Sequence, residues 1–269
     1  MDQNRLGKSN IYVSELTLGC MSLGTDQKQA AEIINEALDM GINHIDTADL
    51  YDFGLNETIV GEAIKNKRDQ IVLTSKVGNH FNRETKDWFW DPSKQHIQNG
   101  IKASLRRLHT DYLDLYLLHG GTIEDNIDET IEAFEGLKKE GLIRAYGISS
   151  IRPNVIKEYV ERSNIDAVML QYNILDRRPE EQLLDLLNKQ QISVLARGPL
   201  AKGIFSSKDN IHRKGKAASH FNHSQIELEA VFDQLDKIAQ QHKISIHGLL
   251  FQYVLKPHAV TSAVFGVRS

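Results

Sequence analysis

The feature that most constrains the fold is a regular alternation of short apolar segments with longer segments of helical periodicity. The short segments are rich in β-branched residues and number eight: 15–20, 43–47, 70–77, 113–119, 144–149, 167–172, 193–197 and 260–265. Between them lie seven segments with apolar residues at a 3.6-residue spacing: 27–40, 56–67, 93–108, 128–140, 153–162, 179–189 and 224–255. The last segment is long enough for two helices. This alternation predicts successive βα units and a parallel sheet.

Eight strands with intervening helices in 269 residues favour closure into a (β/α)8 TIM barrel over an open doubly wound sheet. No linker, repeat or low-complexity segment divides the chain, so we expect one domain over residues 1–269. Residues 6–13 contain the turn sequence Gly7-Lys8-Ser9-Asn10, which predicts an N-terminal β-hairpin that plugs one end of the barrel. The given chain stops at Ser269, after the eighth strand. A final helix covering that strand is therefore expected to be absent.

Composition and charge narrow the range of partners. The formal net charge is -4, so the chain has no excess of basic residues to bind a phosphate backbone. We therefore expect no nucleic acid partner. Polar residues interrupt the apolar stretches before they reach membrane-spanning length, so we expect no membrane association. A lone cysteine, Cys20, and a polar N-terminus without a signal-peptide core predict a cytoplasmic protein. The sequence leaves the oligomeric state open.

Polar residues lie at the ends of three successive predicted strands. The second strand ends at Asp46 and leads into a loop with Tyr51, the third ends near Lys76, and the fourth ends at His119. Reactive groups of parallel barrels lie at the carboxyl ends of strands, which are about 4.8 Å apart, so these side chains are expected to converge. Each residue alone also suits a structural role, as a turn cap, loop anchor, snorkelling lysine or core histidine. The group of four favours a reactive site.

This group suits acid-assisted hydride transfer. A carbonyl that accepts hydride needs a proton on its oxygen, and a tyrosine with a pKa near 10 exchanges protons better when a cation favours its phenolate. Lys76 is the expected cation, Asp46 would keep it charged and oriented, and neutral His119 would bind the substrate oxygen or relay the proton. We expect no metal, because the strand ends lack His-x-Glu-x-x-His and His-x-His spacing.

The residues around this site resemble the aldo-keto reductase family, and the resemblance covers nearly the whole chain. Residues 41–51, GINHIDTADLY, are similar to the family signature G-x-x-x-x-D-T-A-x-x-Y, and residues 56–63, NETIVGEA, to its N-E-x-x-x-G-x-A continuation. The resemblance implies that Tyr51 is the general acid and base and that Asp46, Lys76 and His119 complete a tetrad. It also implies an NADPH-dependent oxidoreductase that reduces aldehydes or ketones to alcohols, with a small-molecule carbonyl substrate.

The same resemblance implies that NADP binds at the barrel mouth, since the chain has no Gly-x-Gly-x-x-Gly or Walker A segment. Ser149 and Gln171 would bind the nicotinamide carboxamide, although Ser149-Ser150 stands where the family usually has Ser-Asn. The other implied cofactor-binding residues line the reacting end (Asp46), the pyrophosphate path (Gly198, Leu200, Gly203) and the adenosine 2′-phosphate (Gly266, Arg268, Ser269). The 2′-phosphate contacts favour NADP over NAD.

Arg197 departs from the family pattern, which places an aromatic side chain on the nicotinamide at this position. A planar guanidinium also stacks on π faces, and its charge would favour the neutral reduced ring and attract an acidic substrate. An ion pair with a carboxylate elsewhere in the mouth is the alternative. Residues 206–223 form a basic polar stretch, which by composition is expected to be a solvated surface loop; the resemblance implies a loop that folds over the pyrophosphate. The aromatic residues of 78–92 are expected to wall the substrate pocket.

Two other classes of function remain open at this point. One is a cofactor-binding sensor, or channel-subunit-like interaction protein, with little turnover. The other is a Schiff-base lyase in which Lys76 attacks the carbonyl as a nucleophile.

Overall fold

The computed structural model describes residues 1–214 and 223–269. The strands within these ranges, in chain order, are β1 (Gln3–Arg5), β2 (Tyr12–Ser14), β3 (Leu16–Gly19), β4 (His44–Asp46), β5 (Val72–Val77), β6 (Asn79–Phe81), β7 (Trp88–Trp90), β8 (Leu113–Leu118), β9 (Ile143–Ser149), β10 (Ala167–Gln171), β11 (Ser193–Arg197) and β12 (Val260–Phe265). The α-helices there are α1 (Gln27–Asp39), α2 (Leu55–Ile64), α3 (Lys94–Leu108), α4 (Ile127–Lys139), α5 (Pro153–Arg162), α6 (Pro179–Lys189), α7 (Lys208–Lys214), α8 (Gln225–His242) and α9 (Ile246–Leu255).

Eight parallel strands close into a barrel in the order β3, β4, β5, β8, β9, β10, β11, β12 and back to β3. The predicted (β/α)8 TIM barrel is therefore confirmed, and each predicted strand and helix corresponds to an observed element. The segment 224–255 divides into α8 and α9. Parallel closure brings the carboxyl ends of all eight strands to one mouth, which is the end where such barrels place their chemistry.

The predicted N-terminal hairpin is also present, formed by β1 and β2 in antiparallel pairing. Three of its apolar residues, Leu6, Ile11 and Val13, are buried in one cluster with side chains from the barrel strands: Leu115, Leu117, Ala145, Ala167, Met169, Leu195 and Val264. The Gly7 amide donates to the hydroxyl of Ser193, the first residue of β11. The hairpin thus lies across the amino-terminal end of the barrel, opposite the mouth.

Two segments differ from the sequence-based expectation. Residues predicted as a loop after β5 form a second antiparallel hairpin, β6 and β7. Part of the polar stretch 206–223 is helical, because Ile211 of α7 packs in an apolar cluster with Phe205 and Leu228. Residues 215–222 of that stretch lie outside the described residues.

Helix α9 packs against part of the outer face of β12. The ring of Phe251 in α9 meets the ring of Phe265 edge to face, with 5.4 Å between the centroids. No helix in the described parts of the chain is both long enough and apolar enough to cross a bilayer.

The close packing of α2 against α3 can be tested by substitution at Gly61. A Cβ atom at Gly61 in α2 would lie 2.5 Å from the carbonyl oxygen of Arg107 and 2.7 Å from the Cα of Leu108. We expect Gly61→Ala to lower the free energy of unfolding by about 1–3 kcal/mol, because backbone would have to move.

Gly136→Ala in α4 is the matched control, since a Cβ there meets no described atom within 4 Å. This change should raise the free energy of unfolding by about 1 kcal/mol through helix propensity. Urea unfolding of both variants measures the difference, and equal effects of the two substitutions would contradict the close approach at Gly61.

Candidate active site

Strand pairing brings the four predicted residues to one side of the barrel mouth. Asp46 ends β4, Lys76 lies one residue before the end of β5, and His119 directly follows β8. These three strands are neighbours in the barrel. Tyr51 begins a short 3-10 helix, Tyr51–Gly54, in the loop after β4. The expected convergence of these side chains is what the structure shows.

Lys76 is fully buried, and its ammonium group makes three polar contacts. Nζ lies 2.6 Å from Asp46 Oδ1, 2.7 Å from the Thr47 carbonyl oxygen and 3.3 Å from the Tyr51 hydroxyl. An ammonium has three N–H donors, so all three are used. The Thr47 carbonyl was not predicted from the sequence, because a backbone acceptor leaves no side-chain signal.

The pKa values follow from this burial and pairing. Burial by itself would lower the pKa of Lys76, but the charge of Asp46 and then the interaction with the phenolate form of Tyr51 outweigh it, so the pKa is raised. Burial raises the pKa of Asp46, an effect that the adjacent Lys76 ammonium opposes. Since the pKa of Lys76 lies above its ordinary value, this residue is a cation at neutral pH.

Tyr51 differs from the expectation in one respect. Burial raises the pKa of its hydroxyl, and although the charge of Lys76 acts in the opposite direction, burial outweighs it. Tyr51 is therefore protonated at neutral pH and is a proton donor in this state. The sequence predicted the neighbouring cation but not the degree of burial that decides the net direction.

His119 lies against Tyr51, with ring centroids 5.7 Å apart and the planes at 81°. Burial, followed by the charges of Lys76 and Arg197, lowers the pKa of His119 to about 3. The ring is therefore neutral at pH 7, as expected. Its buried Nδ1 makes no hydrogen bond with any described residue, so one ring nitrogen is left to a ligand or water.

The loop that carries Tyr51 is held in an unusual backbone conformation. Asp52 and Phe53 have φ values of 47° and 52°, which non-glycine residues rarely adopt outside constrained sites. Asn56 fixes the following turn, since its Oδ1 accepts from the Thr47 hydroxyl and its Nδ2 donates to the Cys20 carbonyl oxygen. These contacts hold the Tyr51 hydroxyl within reach of Lys76.

A buried polar layer supports the site from below. His44 and Thr74 precede Asp46 and Lys76 by two residues on their strands, so they face the same interior. The His44 Nε2 and Thr74 Oγ1 atoms are 2.7 Å apart, and His44 Nδ1 is 2.7 Å from Thr17 Oγ1. The sequence analysis missed this layer, because no motif marks it.

The predicted nicotinamide-binding residues lie at the ends of the next strands around the mouth. Ser149 ends β9, and Gln171 and Arg197 end β10 and β11, where they are paired in register. The Arg197 guanidinium makes no ion pair in the described ranges, and the pKa of Arg197 is lowered by burial. Asp176, whose charge acts on it, is bonded instead to Arg178.

The proposed pyrophosphate segment follows β11. Gly198 adopts a φ of +67°, and a Cβ there would meet no described atom within 4 Å. Gly203 adopts a φ of +70°, while Leu200 is half-buried. Asn173, which the sequence analysis missed, donates from Nδ2 to the Gly198 carbonyl oxygen at 3.0 Å. This contact fixes the start of the segment.

The predicted 2′-phosphate residues follow β12 at the amino-terminal end of α1. Gly266 packs so closely that a Cβ would lie 2.9 Å from the Ser22 hydroxyl oxygen. The Arg268 carbonyl oxygen accepts from Gln29 Nε2 at 2.9 Å. The side chains of Arg268 and Ser269 are exposed.

The aromatic residues of 78–92 divide into two groups. Trp90 lies over the mouth, where a Cβ at Gly78 would be 2.7 Å from its ring and a Cβ at Gly120 would be 3.0 Å away. Its Nε1 donates to Asp125 Oδ1 at 2.9 Å. Trp88 and Phe89 are 58% and 59% exposed.

The polar groups of the mouth fit a nicotinamide. A hydroxyl at Ser149 and a carboxamide at Gln171 supply the donors and acceptors that its carboxamide requires. His119 Nδ1 and the Arg197 guanidinium add polar groups not used within the described protein. Gly198 allows close approach of a ligand to the backbone.

Comparison with known proteins gives consistent results. A family model described as the aldo/keto reductase family matches residues 15–269. A relative from Bacillus subtilis (strain 168), the uncharacterized oxidoreductase YqkF, is 52% identical over 268 residues, which are 99% of this chain and 87% of the relative. The NADH-specific methylglyoxal reductase of Escherichia coli (strain K12) is 29% identical over 289 residues, covering 98% of this chain and 89% of that protein.

One solved structure is similar in both fold and sequence. The holo form of the aldo-keto reductase AKR11C1 from Bacillus halodurans matches with a TM-score of 0.88 and 48% identity. The match covers 100% of this chain and 87% of that one.

The low pKa of His119 predicts an acid-dependent loss of stability. The unfolded ring takes up a proton near pH 6.5, whereas the folded ring does so only near pH 3. The free energy of unfolding therefore falls as pH decreases from 6.5 toward 3, and His119 contributes about 1.4 kcal/mol per pH unit between these values. His119→Gln should reduce the slope by that amount in urea unfolding between pH 6 and pH 4. An unchanged slope would contradict the assignment of a neutral buried ring.

Proposed function

The chain belongs to the aldo/keto reductase family, and on that premise we propose that it reduces aldehydes or ketones to alcohols with NADPH, using Tyr51 as the general acid. The observation that carries this proposal is the Tyr51 hydroxyl, protonated at neutral pH and 3.3 Å from the Lys76 ammonium. The neutral ring of His119 lies beside it. A proton donor, a fixed cation and a neutral hydrogen-bonding ring at one opening suit proton delivery to a carbonyl oxygen.

When bound, the nicotinamide supplies the hydride that reaches the carbonyl carbon. Tyr51 transfers its hydroxyl proton to the carbonyl oxygen and is left as a phenolate. Lys76 stabilises that phenolate, because its charge lies within hydrogen-bond distance of the oxygen. Asp46 keeps Lys76 charged and in place. His119 orients the substrate oxygen through a ring nitrogen, and a solvent proton then restores Tyr51.

The geometry of Lys76 argues against a Schiff-base lyase. A nucleophilic lysine must lose a proton, and its pKa is normally lowered by burial or a neighbouring cation. In this site Asp46 raises the pKa of Lys76, and all three N–H donors are engaged. Lys76 therefore stabilises charge more readily than it attacks a carbonyl.

We assign the cofactor contacts by position. Ser149 and Gln171 would hold the nicotinamide carboxamide, and Gly198, Leu200 and Gly203 would line the pyrophosphate path. Beyond β12, the 2′-phosphate would meet a guanidinium, a hydroxyl and backbone amides from Gly266, Arg268 and Ser269. An exposed guanidinium suits a phosphate, which supports a preference for NADPH.

Arg197 bears on both the cofactor and the substrate. Its positive charge, which has no ion-pair partner among the described residues, favours a neutral reduced nicotinamide over the cationic oxidised form. The same charge would attract a carbonyl compound that carries an acidic group. Because a relative is a methylglyoxal reductase, a substrate panel should include 2-oxoaldehydes together with 2-oxo acids and simple aldehydes.

Tyr51→Phe tests the proposed acid. We expect carbonyl-dependent loss of NADPH absorbance to fall by at least about 100-fold, because a general acid contributes that much. NADPH binding, followed by fluorescence, should be nearly unchanged. Tyr12→Phe is the control, since Tyr12 is exposed on the hairpin at the opposite end of the barrel.

Retained turnover in Tyr51→Phe would contradict the role of Tyr51. A wild-type protein that binds NADPH but oxidises it negligibly across the panel would instead identify a cofactor sensor.

Arg268→Ala tests the proposed preference for NADPH. Loss of a charge-assisted contact worth about 1.5–3 kcal/mol should weaken NADPH binding by roughly 10- to 150-fold. NADH lacks the 2′-phosphate and serves as the internal control, so its Kd should change less than about twofold. Equal weakening of both cofactors would remove the 2′-phosphate assignment.

A further inference from the structure

A second cluster of reactive side chains lies outside the tetrad, on the segment that follows β5. His80 lies in β6, Asp91 directly follows β7, and His96 lies in the first turn of α3. One potential ligand atom from each lies within 4.8 Å of the others. Among residues 1–214 and 223–269, these residues form the one group of three or more histidine, cysteine or acidic side chains arranged in this way.

The spacing of this cluster is too long for hydrogen bonds but close to that of metal ligands. His80 Nδ1 is 3.8 Å from Asp91 Oδ2, and His96 Nδ1 is 3.9 Å from the same oxygen. Bonds of about 2.0–2.2 Å to a tetrahedral Zn²⁺ place two ligand atoms about 3.4 Å apart. Movements of a few tenths of an ångström in side chains would bring these two pairs to that separation.

We propose that His80, Asp91 and His96 bind a divalent transition metal ion of the zinc type. Two imidazoles and one carboxylate form a ligand set for such an ion, with a fourth position left to water. The site does not depend on the proposed reductase activity. It departs from the expectation of no metal, which considered motifs at the ends of barrel strands.

The local structure orients the three ligands. Asp91 Oδ1 accepts from the Ser93 amide at 3.1 Å, which leaves Oδ2 facing both histidines. The His80 ring stacks on Phe89 at 4.8 Å and on His96 at 5.2 Å. Contacts of this kind to ligating groups fix their orientation and support metal affinity.

One further observation points to a missing partner. The Nε2 atom of His96 is buried and makes no hydrogen bond with any described residue. An unsatisfied buried nitrogen of this kind calls for water, an ion or a rearrangement of the ring.

A bound ion would join the β6–β7 hairpin to the start of α3. The hairpin also carries Trp90, whose ring lies over Gly78 and Gly120 at the mouth. Because residues alternate between the two faces of a strand, His80 and Asp91 lie on one face while Trp90 lies on the other. The ion would thus act as a structural tie that limits movement of the wall beside His119.

The test uses the whole chain, freed of metal with EDTA and titrated with ZnCl₂ by calorimetry. We expect one Zn²⁺ per chain and a loss of affinity of more than about 100-fold in His80→Asn and His96→Asn, since even groups that only support a ligand contribute 10- to 100-fold. His80 is largely exposed, so its variant should fold, and circular dichroism checks this.

His109→Asn is the matched control at the other end of α3, where the ring pairs with Glu62. It should retain the affinity of the wild-type protein. Hydrogen exchange of the β6 and β7 amides should slow on addition of Zn²⁺ in wild type and not in His80→Asn. Absence of Zn²⁺ uptake, or equal affinity in all three variants, would overturn the metal site. Uptake with unchanged exchange would overturn the structural tie.

Discussion

The buried ammonium of Lys76 is the constraint on which the proposed active site depends. A charge removed from water is tolerated only when its partners are complete, and Lys76 obtains them from Asp46, Thr47 and Tyr51. All three acceptors belong to β4 or to the loop after it. The ammonium group of Lys76 therefore fixes the end of β4, the loop and the Tyr51 hydroxyl together.

Much of the barrel could be predicted, because burial of a parallel strand leaves a short apolar run in the sequence. Residues 193–197 and 260–265 match β11 and β12 residue for residue. The β6–β7 hairpin was missed because exposed Trp88 and Phe89 obscure its alternation. Helix α7 was missed for a different reason: its anchor, Ile211, packs against residues distant in sequence.

The candidate site was predictable in its residues but not in its electrostatics. Asp46, Lys76 and His119 follow apolar runs and could be found by position, whereas the pKa of Tyr51 depends on a depth of burial that only the folded chain provides. The amide of Asn173 and the cluster at His80 carry no characteristic spacing. The single-domain assignment, the cytoplasmic location and the preference for NADPH stay predictions.

The hairpin at the amino-terminal end has a consequence for the order of events. Since its apolar side chains fill that end of the barrel, molecules reach Lys76 from the mouth. Two ligands that share one entrance cannot bind independently when one lies deeper than the other. The deeper ligand must arrive first and depart last. A barrel that is closed at one end therefore imposes an order on binding and release at the other end.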